Sequence, residues 1–162
     1  MPERRFYAWH QPPRFRDRAY AHPGTTAISA AGLIVGAGLI VDTVGIASGN
    51  DAVEALPDWL KTWVGAFLIL GGTLALTGLL HSWTDLARGW RIESLGWVLQ
   101  LGAWGTLTAL LAYLVPDATI AWPLTLAAAV TAVLRMRALV HIEREGRRLI
   151  AEHGEGCHER LA

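Results

Sequence analysis

Residues 27–47, AISAAGLIVGAGLIVDTVGIA, form an apolar run broken by one ionisable residue, Asp42. A helix over this run rises about 1.5 Å per residue and so crosses the roughly 30 Å hydrocarbon core of a bilayer. Three more runs of the same kind follow, at about 59–80, 92–115 and 118–134. A soluble domain of 162 residues does not devote four such segments to apolar side chains. The expected fold is therefore all-α: a polytopic membrane protein with four transmembrane helices in a compact bundle, followed by a cytoplasmic amphipathic helix. The chain divides into a basic and aromatic cytoplasmic arm (1–26), the transmembrane domain (27–134) and a cytoplasmic helix and tail (135–162).

The formal net charge is zero, but the charges are segregated. Of 14 cationic residues all but Lys61 are arginine, which with abundant Ala and Gly points to a GC-rich coding source such as an actinobacterium or its phage. Every arginine falls in the arm, in the connection after the second span, or in the tail. The connections after the first and third spans contain none. The positive-inside rule then places both termini in the cytoplasm of a bacterium, with the spans in its inner membrane. No cleaved signal peptide is expected, because the polar stretch before the first run is long and the run itself is long enough to span. Cys157 is the lone cysteine, so no intrachain disulfide forms.

Aromatic residues agree with this orientation. Trp59, Trp63, Tyr113 and Trp122 lie toward the outer surface, and Trp83, Trp90 and Trp97 toward the inner one. Trp83, Trp90, Trp97 and Trp104 are seven apart, which keeps them on nearly one side of a helix and predicts a packing or lipid-facing seam. In the arm, arginines alternate with Phe6, Tyr7, Trp9, Phe15 and Tyr20, a pattern suited to anionic lipid headgroups. Nucleic acid is not an expected partner. Ser82 and Asp85 are placed to cap a helix ahead of the third span.

Small residues supply the expected packing faces. Gly71, Ala75 and Gly78 share one side of the second span, Gly65 and Gly72 another, and Gly102, Gly105, Ala109 and Ala112 form a seam on the third. Close approach over such residues is a main source of helix association in lipid. The first span has two small faces, one with Ser29, Gly32, Gly36 and Thr43, the other with Ala31, Gly38, Asp42 and Gly45. The Asp42 side is expected to meet the chain's own bundle, and the Gly32 and Gly36 side to meet another subunit. Candidate packing and oligomer faces are thus Gly32, Gly36, Gly71, Gly78, Gly102 and Gly105.

Asp42 is the one carboxylate well inside an apolar run, and such residues are functional candidates by default. Counting depth along the helices brings Thr108 and Thr125 near its level, with Lys61 reaching down from the outer interface. Asp42, Lys61, Thr108 and Thr125 form either a proton or cation site or a structural latch. Gln100 is expected too far inward to join them, and Arg91 and Glu93 are expected to anchor the third span at the interface. His81 and His141 do not suit haem, nor His153, Cys157 and His158 zinc. No cofactor and no metal site is expected. Nucleotide-binding, metalloprotease, hydrolase-elbow and CxxC motifs are missing, and the chain is expected not to be an enzyme. Beyond the fourth span Leu139, Ile142, Gly146, Leu149 and His153 repeat at alternating spacings of three and four, with Glu143 and Arg147 paired outside. That amphipathic helix is a candidate surface for a cytoplasmic protein partner.

The segment LPDWLKTWVGAFLILGGTLALTGLL, followed by GWRIESLGWVLQ, resembles small four-span membrane proteins of actinobacterial phages, many described as holin-like or uncharacterised. The resemblance covers about residues 56–135 and rests on a Leu-Pro start, a Gly-Gly in mid-span and an Arg-Ile-Glu opening of the next helix. It implies an oligomeric membrane protein acting late in phage growth and making lesions that release a lytic enzyme. The chain departs from the simplest holins, which are shorter and have fewer spans. Three functions are therefore weighed. The first is a self-assembling inner-membrane protein or complex subunit, oligomerising through glycine faces. The second is a small proton- or cation-coupled transporter or channel subunit using Asp42, and the third a membrane anchor that recruits a cytoplasmic partner.

Overall fold

The computed structural model describes residues 22–43, 54, 56–80, 86–116 and 120–159. Residues 1–21 of the arm expected at 1–26, the stretch 44–53, His81, the expected cap residues Ser82 and Asp85, and Trp83 lie outside the described residues, as do the side chains of Glu143, Arg147, His153, Cys157 and His158. The described residues form four helices: α1 (Pro23–Thr43), α2 (Asp58–Leu80), α3 (Leu86–Leu114) and α4 (Ala121–Glu159). All four carry a stretch long and apolar enough to cross a membrane.

Local chemistry sets the helix ends. Proline opens α1, where its missing N–H costs nothing, and the hydroxyl of Thr26 donates to the His22 carbonyl at 3.0 Å. Ahead of α2 the Pro57 carbonyl accepts the N–H groups of Leu60 and Lys61 at 2.9 and 3.1 Å, starting the hydrogen-bond ladder. Pro123 falls in the first turn of α4, the one part of a helix that tolerates proline. The helices also differ from the expected spans at their edges. α1 begins four residues before the expected Ala27, and α3 includes Leu86, six residues before the expected Ile92. α4 does not stop at Leu134 but continues unbroken to Glu159, so the fourth span and the amphipathic segment are one helix.

Consecutive helices run antiparallel, and α1 with α2 and α2 with α3 pack through their glycines. A Cβ added to Gly36 would lie 2.7 Å from the carbonyl oxygen of Gly65, and one added to Gly65 would lie 2.8 Å from that of Gly36. Gly72 meets the Ser29 carbonyl in the same way at 2.8 Å, so one face of α2 is flat against α1. On its other face Gly71 lies against the backbone of Gly96, and a Cβ at Gly78 would come within 2.5 Å of the Glu93 nitrogen. The two glycine faces of α2 therefore serve one neighbour each.

Gly32 and Gly36, expected to face a second subunit, turn into the chain instead, Gly36 against α2 and Gly32 against Gln100 of α3 and the Leu68 carbonyl of α2, while a Cβ at Gly38 would meet nothing within 4 Å. The reason lies in the partner: α2 carries glycines at the matching register, so the Ser29–Gly36 side is where the two backbones can approach most closely. Gly71 and Gly78 are likewise enclosed within the chain. Gly102 and Gly105 are the exception, with open space where a side chain would be.

Among the described residues, Leu39, Leu68, Trp104, Leu107 and Ala128 belong to one buried apolar cluster, and Ala75, Trp97, Ala132 and Leu139 to a second. The share of buried residues in the apolar stretch is 44% for α2 and 39% for α3, but 22% for α1 and for α4. α2 and α3 are thus the interior pair, and α1 and α4 the edges. The edge helices meet each other only narrowly.

Candidate functional site

Asp42 lies one residue before the end of α1, and Lys61 in the first turn of α2, at the same end of the bundle. The Lys61 ammonium donates to Asp42 Oδ2 at 2.8 Å, and Asp58 Oδ1 stands 3.6 Å from the same nitrogen. Both members of the closer pair are largely buried, at 6% and 10% side-chain exposure. Thr108 and Thr125 do not join them. Their hydroxyls lie 2.9 Å apart, tying α3 to α4, and each also lies within 2.9 Å of a carbonyl of its own helix, those of Trp104 and Trp122. Of the four residues expected at one polar site, two make an ion pair between α1 and α2, and two make a hydroxyl contact between α3 and α4.

A larger polar assembly sits deeper. Arg135 of α4 donates through Nε to Glu93 Oε1 of α3 at 2.7 Å, and Glu93 has only 2% side-chain exposure. The indole of Trp97 donates to the same oxygen at 3.3 Å. One turn further along α3, Gln100 accepts from the Trp104 indole and donates to the Ser29 hydroxyl of α1, both at 3.3 Å. Glu93, Trp97, Gln100 and Trp104 are spaced four, three and four apart, so they form one inward face of α3. Among the described residues no buried side-chain nitrogen or oxygen is left without a partner.

His22, one residue ahead of α1, lies in the field of this assembly. Burial and the Arg135 guanidinium hold its imidazole below the ordinary 6.5, with Glu93 opposing. Ile28, in the second turn of α1, packs against the buried cluster that holds Ala132 and Leu139 of α4, so the two edge helices meet at that end.

At the other end they part. Between α1 and α4, floored by Trp104, Leu107 and Leu111 of α3, opens a cleft of about 420 Å³. Its walls include Ile28, Ala31, Val35 and Leu39 from α1, and Leu124, Thr125, Ala128 and Thr131 from α4. No protein family, curated protein or solved structure matches this chain. The geometry must therefore carry the functional reading unaided. Among the described residues no group of three His, Cys, Asp or Glu is placed to hold a metal ion.

Glu93, Arg135 and Gln100 were not candidates from sequence. Glu93 and Arg135 lie just inside and just outside the expected span limits at 92 and 134, where charges ordinarily anchor helices to headgroups. One signal was present: the alternating four–three spacing that links Glu93 and Gln100 to Trp97 and Trp104 places all four on one side of a helix.

Proposed function

We propose that the chain is a non-enzymatic, self-assembling multi-pass membrane protein of a bacterial inner membrane, with both termini cytoplasmic, and that it assembles through the outward face of α3. The observation that carries this reading is the unequal use of the small residues. Gly32, Gly36, Gly71 and Gly78 pack within the chain, whereas Gly102, Gly105, Ala109 and Ala112 line an outward seam. A Cβ added at Gly102 or Gly105 would meet nothing within 4 Å. In lipid such a surface favours another helix, because backbones can approach closely over it. The exposed Leu95 and Val98 continue the same heptad-like row toward the other end of α3.

In a background with Cys157→Ser, Ala109→Cys in native membranes is expected to crosslink copies of the chain, and Gly38→Cys on the open side of α1 is not. Crosslinking through Gly38→Cys alone would overturn the assignment. A holin-like role is one form of this function, and it adds an abrupt collapse of membrane potential on induced expression. A scaffold role is favoured by a different observation, the continuation of α4 well past the end of its apolar stretch at Ile142. Removing residues 143–162 is expected to leave self-assembly intact and to abolish partner capture if that role holds. The transporter reading is disfavoured, because Asp42 is held by Lys61. Unchanged proton or cation flux in Asp42→Asn would exclude it.

A further inference from the structure

The cleft between α1 and α4 lies on a different side of the chain from the α3 seam. Its walls run from Ile28 to Leu39 on α1 and from Ile120 to Thr131 on α4. Each stretch rises roughly 16 Å. That is about half of a hydrocarbon core roughly 30 Å thick, the depth of one leaflet. The far end is bounded where Ile28 of α1 packs against the buried cluster that holds Ala132 and Leu139 of α4. A cleft of about 420 Å³ spread over that length is far narrower than a helix, which is about 10–12 Å across with its side chains. A flexible hydrocarbon chain fits it.

The lining chemistry points the same way. The hydrogen-bonding side chains that line the cleft are Trp104, Thr125 and Thr131. The indole of Trp104 donates to Gln100, and the hydroxyls of Thr125 and Thr131 bond to the carbonyls of Trp122 and Ala127 at 2.9 and 2.8 Å. Every donor on the wall is already engaged, so a polar ligand would lose its water without gaining a partner. At one end the lining reaches Leu39 and Leu56, and Asp42 and Asp58, both beside the Lys61 ammonium, follow one turn and two residues later along the chain. The Lys61 ammonium is held by Asp42 and faces Asp58, so this end presents an excess of carboxylate.

The geometry points to a lipid site: the cleft takes one acyl chain of a phospholipid from the leaflet at that end, and the carboxylates there favour an amine-bearing headgroup. Bound there, the chain completes the contact that α1 and α4 do not make with each other. The site does not depend on self-assembly through α3.

The test uses the full-length protein reconstituted in phosphatidylethanolamine or phosphatidylglycerol vesicles, exchanged into detergent and examined by native mass spectrometry. One phosphatidylethanolamine per chain is expected to survive the exchange. Ala31→Phe and Ala127→Phe, which fill the cleft from exposed positions on its two walls, are expected to reduce that adduct at least tenfold. Ala37→Phe, on α1 but outside the cleft, is expected to keep it. Equal retention by all three variants, or no retained lipid in the wild type, would overturn the site. Equal retention of phosphatidylglycerol would overturn the headgroup assignment. A second copy in the cleft would instead show as a dimer lost in Ala31→Phe with no change in lipid, which also overturns it. A further measurement needs no bulky residue in the cleft. Lipids brominated near the chain terminus are expected to quench wild-type fluorescence more strongly than that of Trp104→Phe, and identical quenching would count against the site.

Discussion

Glu93–Arg135 and Asp42–Lys61 are both short ion pairs between neighbouring helices, at 2.7 and 2.8 Å, yet they stand in different surroundings. Glu93 is enclosed, its carboxylate shared between the Arg135 guanidinium and the Trp97 indole. Asp42 and Lys61 lie at a helix end and a helix start, with the exposed Asp58 as a second carboxylate for the lysine. The outer pair has a reserve, since Asp58 stands 3.6 Å from the same lysine nitrogen. Burial and redundancy, more than ion-pair distance, decide how much each pair matters to the bundle.

The sharpest way to break the comparison is to remove one inner charge. Glu93→Ala leaves the Arg135 guanidinium unpaired, and breaking a buried pair typically costs about 3–5 kcal/mol. A large fall in thermal stability in detergent is expected, followed through Trp97 fluorescence. Replacing both partners by apolar residues, as in Glu93→Leu with Arg135→Met, is expected to recover most of the loss. If the single and double variants melt alike, the inner pair does not hold α3 to α4.

Next in size is the glycine contact that brings Glu93 to α2. Gly78→Ala places a Cβ against the Glu93 backbone and is expected to cost about 1–3 kcal/mol as the helices shift. Gly38→Ala, made in open space on α1, is expected to be neutral or to stabilise by up to about 1 kcal/mol through helix propensity. Equal effects at the two sites, read by the same melt, would show that α2 and α3 do not pack over Gly78.

Smaller again is Asp42→Asn. Lys61 keeps Asp58 within reach, so melting is expected to shift less than for Glu93→Ala. The double variant with Asp58→Asn is expected to exceed the sum of the two single effects, and simple additivity would show that Asp58 is no reserve.

The smallest effect concerns His22. Its pKa is lowered in the folded state by burial and by Arg135, so the unfolded chain binds the proton more readily. Stability is therefore unaffected well above the ordinary 6.5 and falls as pH drops through that value toward the lowered one. The decline is expected to flatten in His22→Gln, and an unchanged melting profile against pH would rule out the contribution.

The four spans were legible because each apolar run has the length a bilayer demands, a constraint acting on residues next to one another in sequence. The same holds for the Asp42–Lys61 pair, since each residue could be placed by depth alone. Choices between faces were not legible. The sequence of α1 offers two small-residue sides, and only the register of Gly65 and Gly72 on α2 decides that Gly32 and Gly36 turn inward. The Glu93–Arg135 pair was hidden for another reason. Its partners are 42 residues apart, and each lay at the margin of an expected span. The earlier start of α3 and the continuation of α4 draw both into the packed interior. The seven-residue tryptophan spacing left packing and lipid-facing seams open; Trp97 and Trp104 are buried, and the hydrogen bonds that position them depend on Glu93 and Gln100.

α4 is one unbroken helix of 39 residues, about 58 Å long. Thr125 and Arg135 fasten it to α3 at two points about 15 Å apart. A rod held at two points does not pivot, so the roughly 36 Å of helix beyond Arg135 takes its direction from α3.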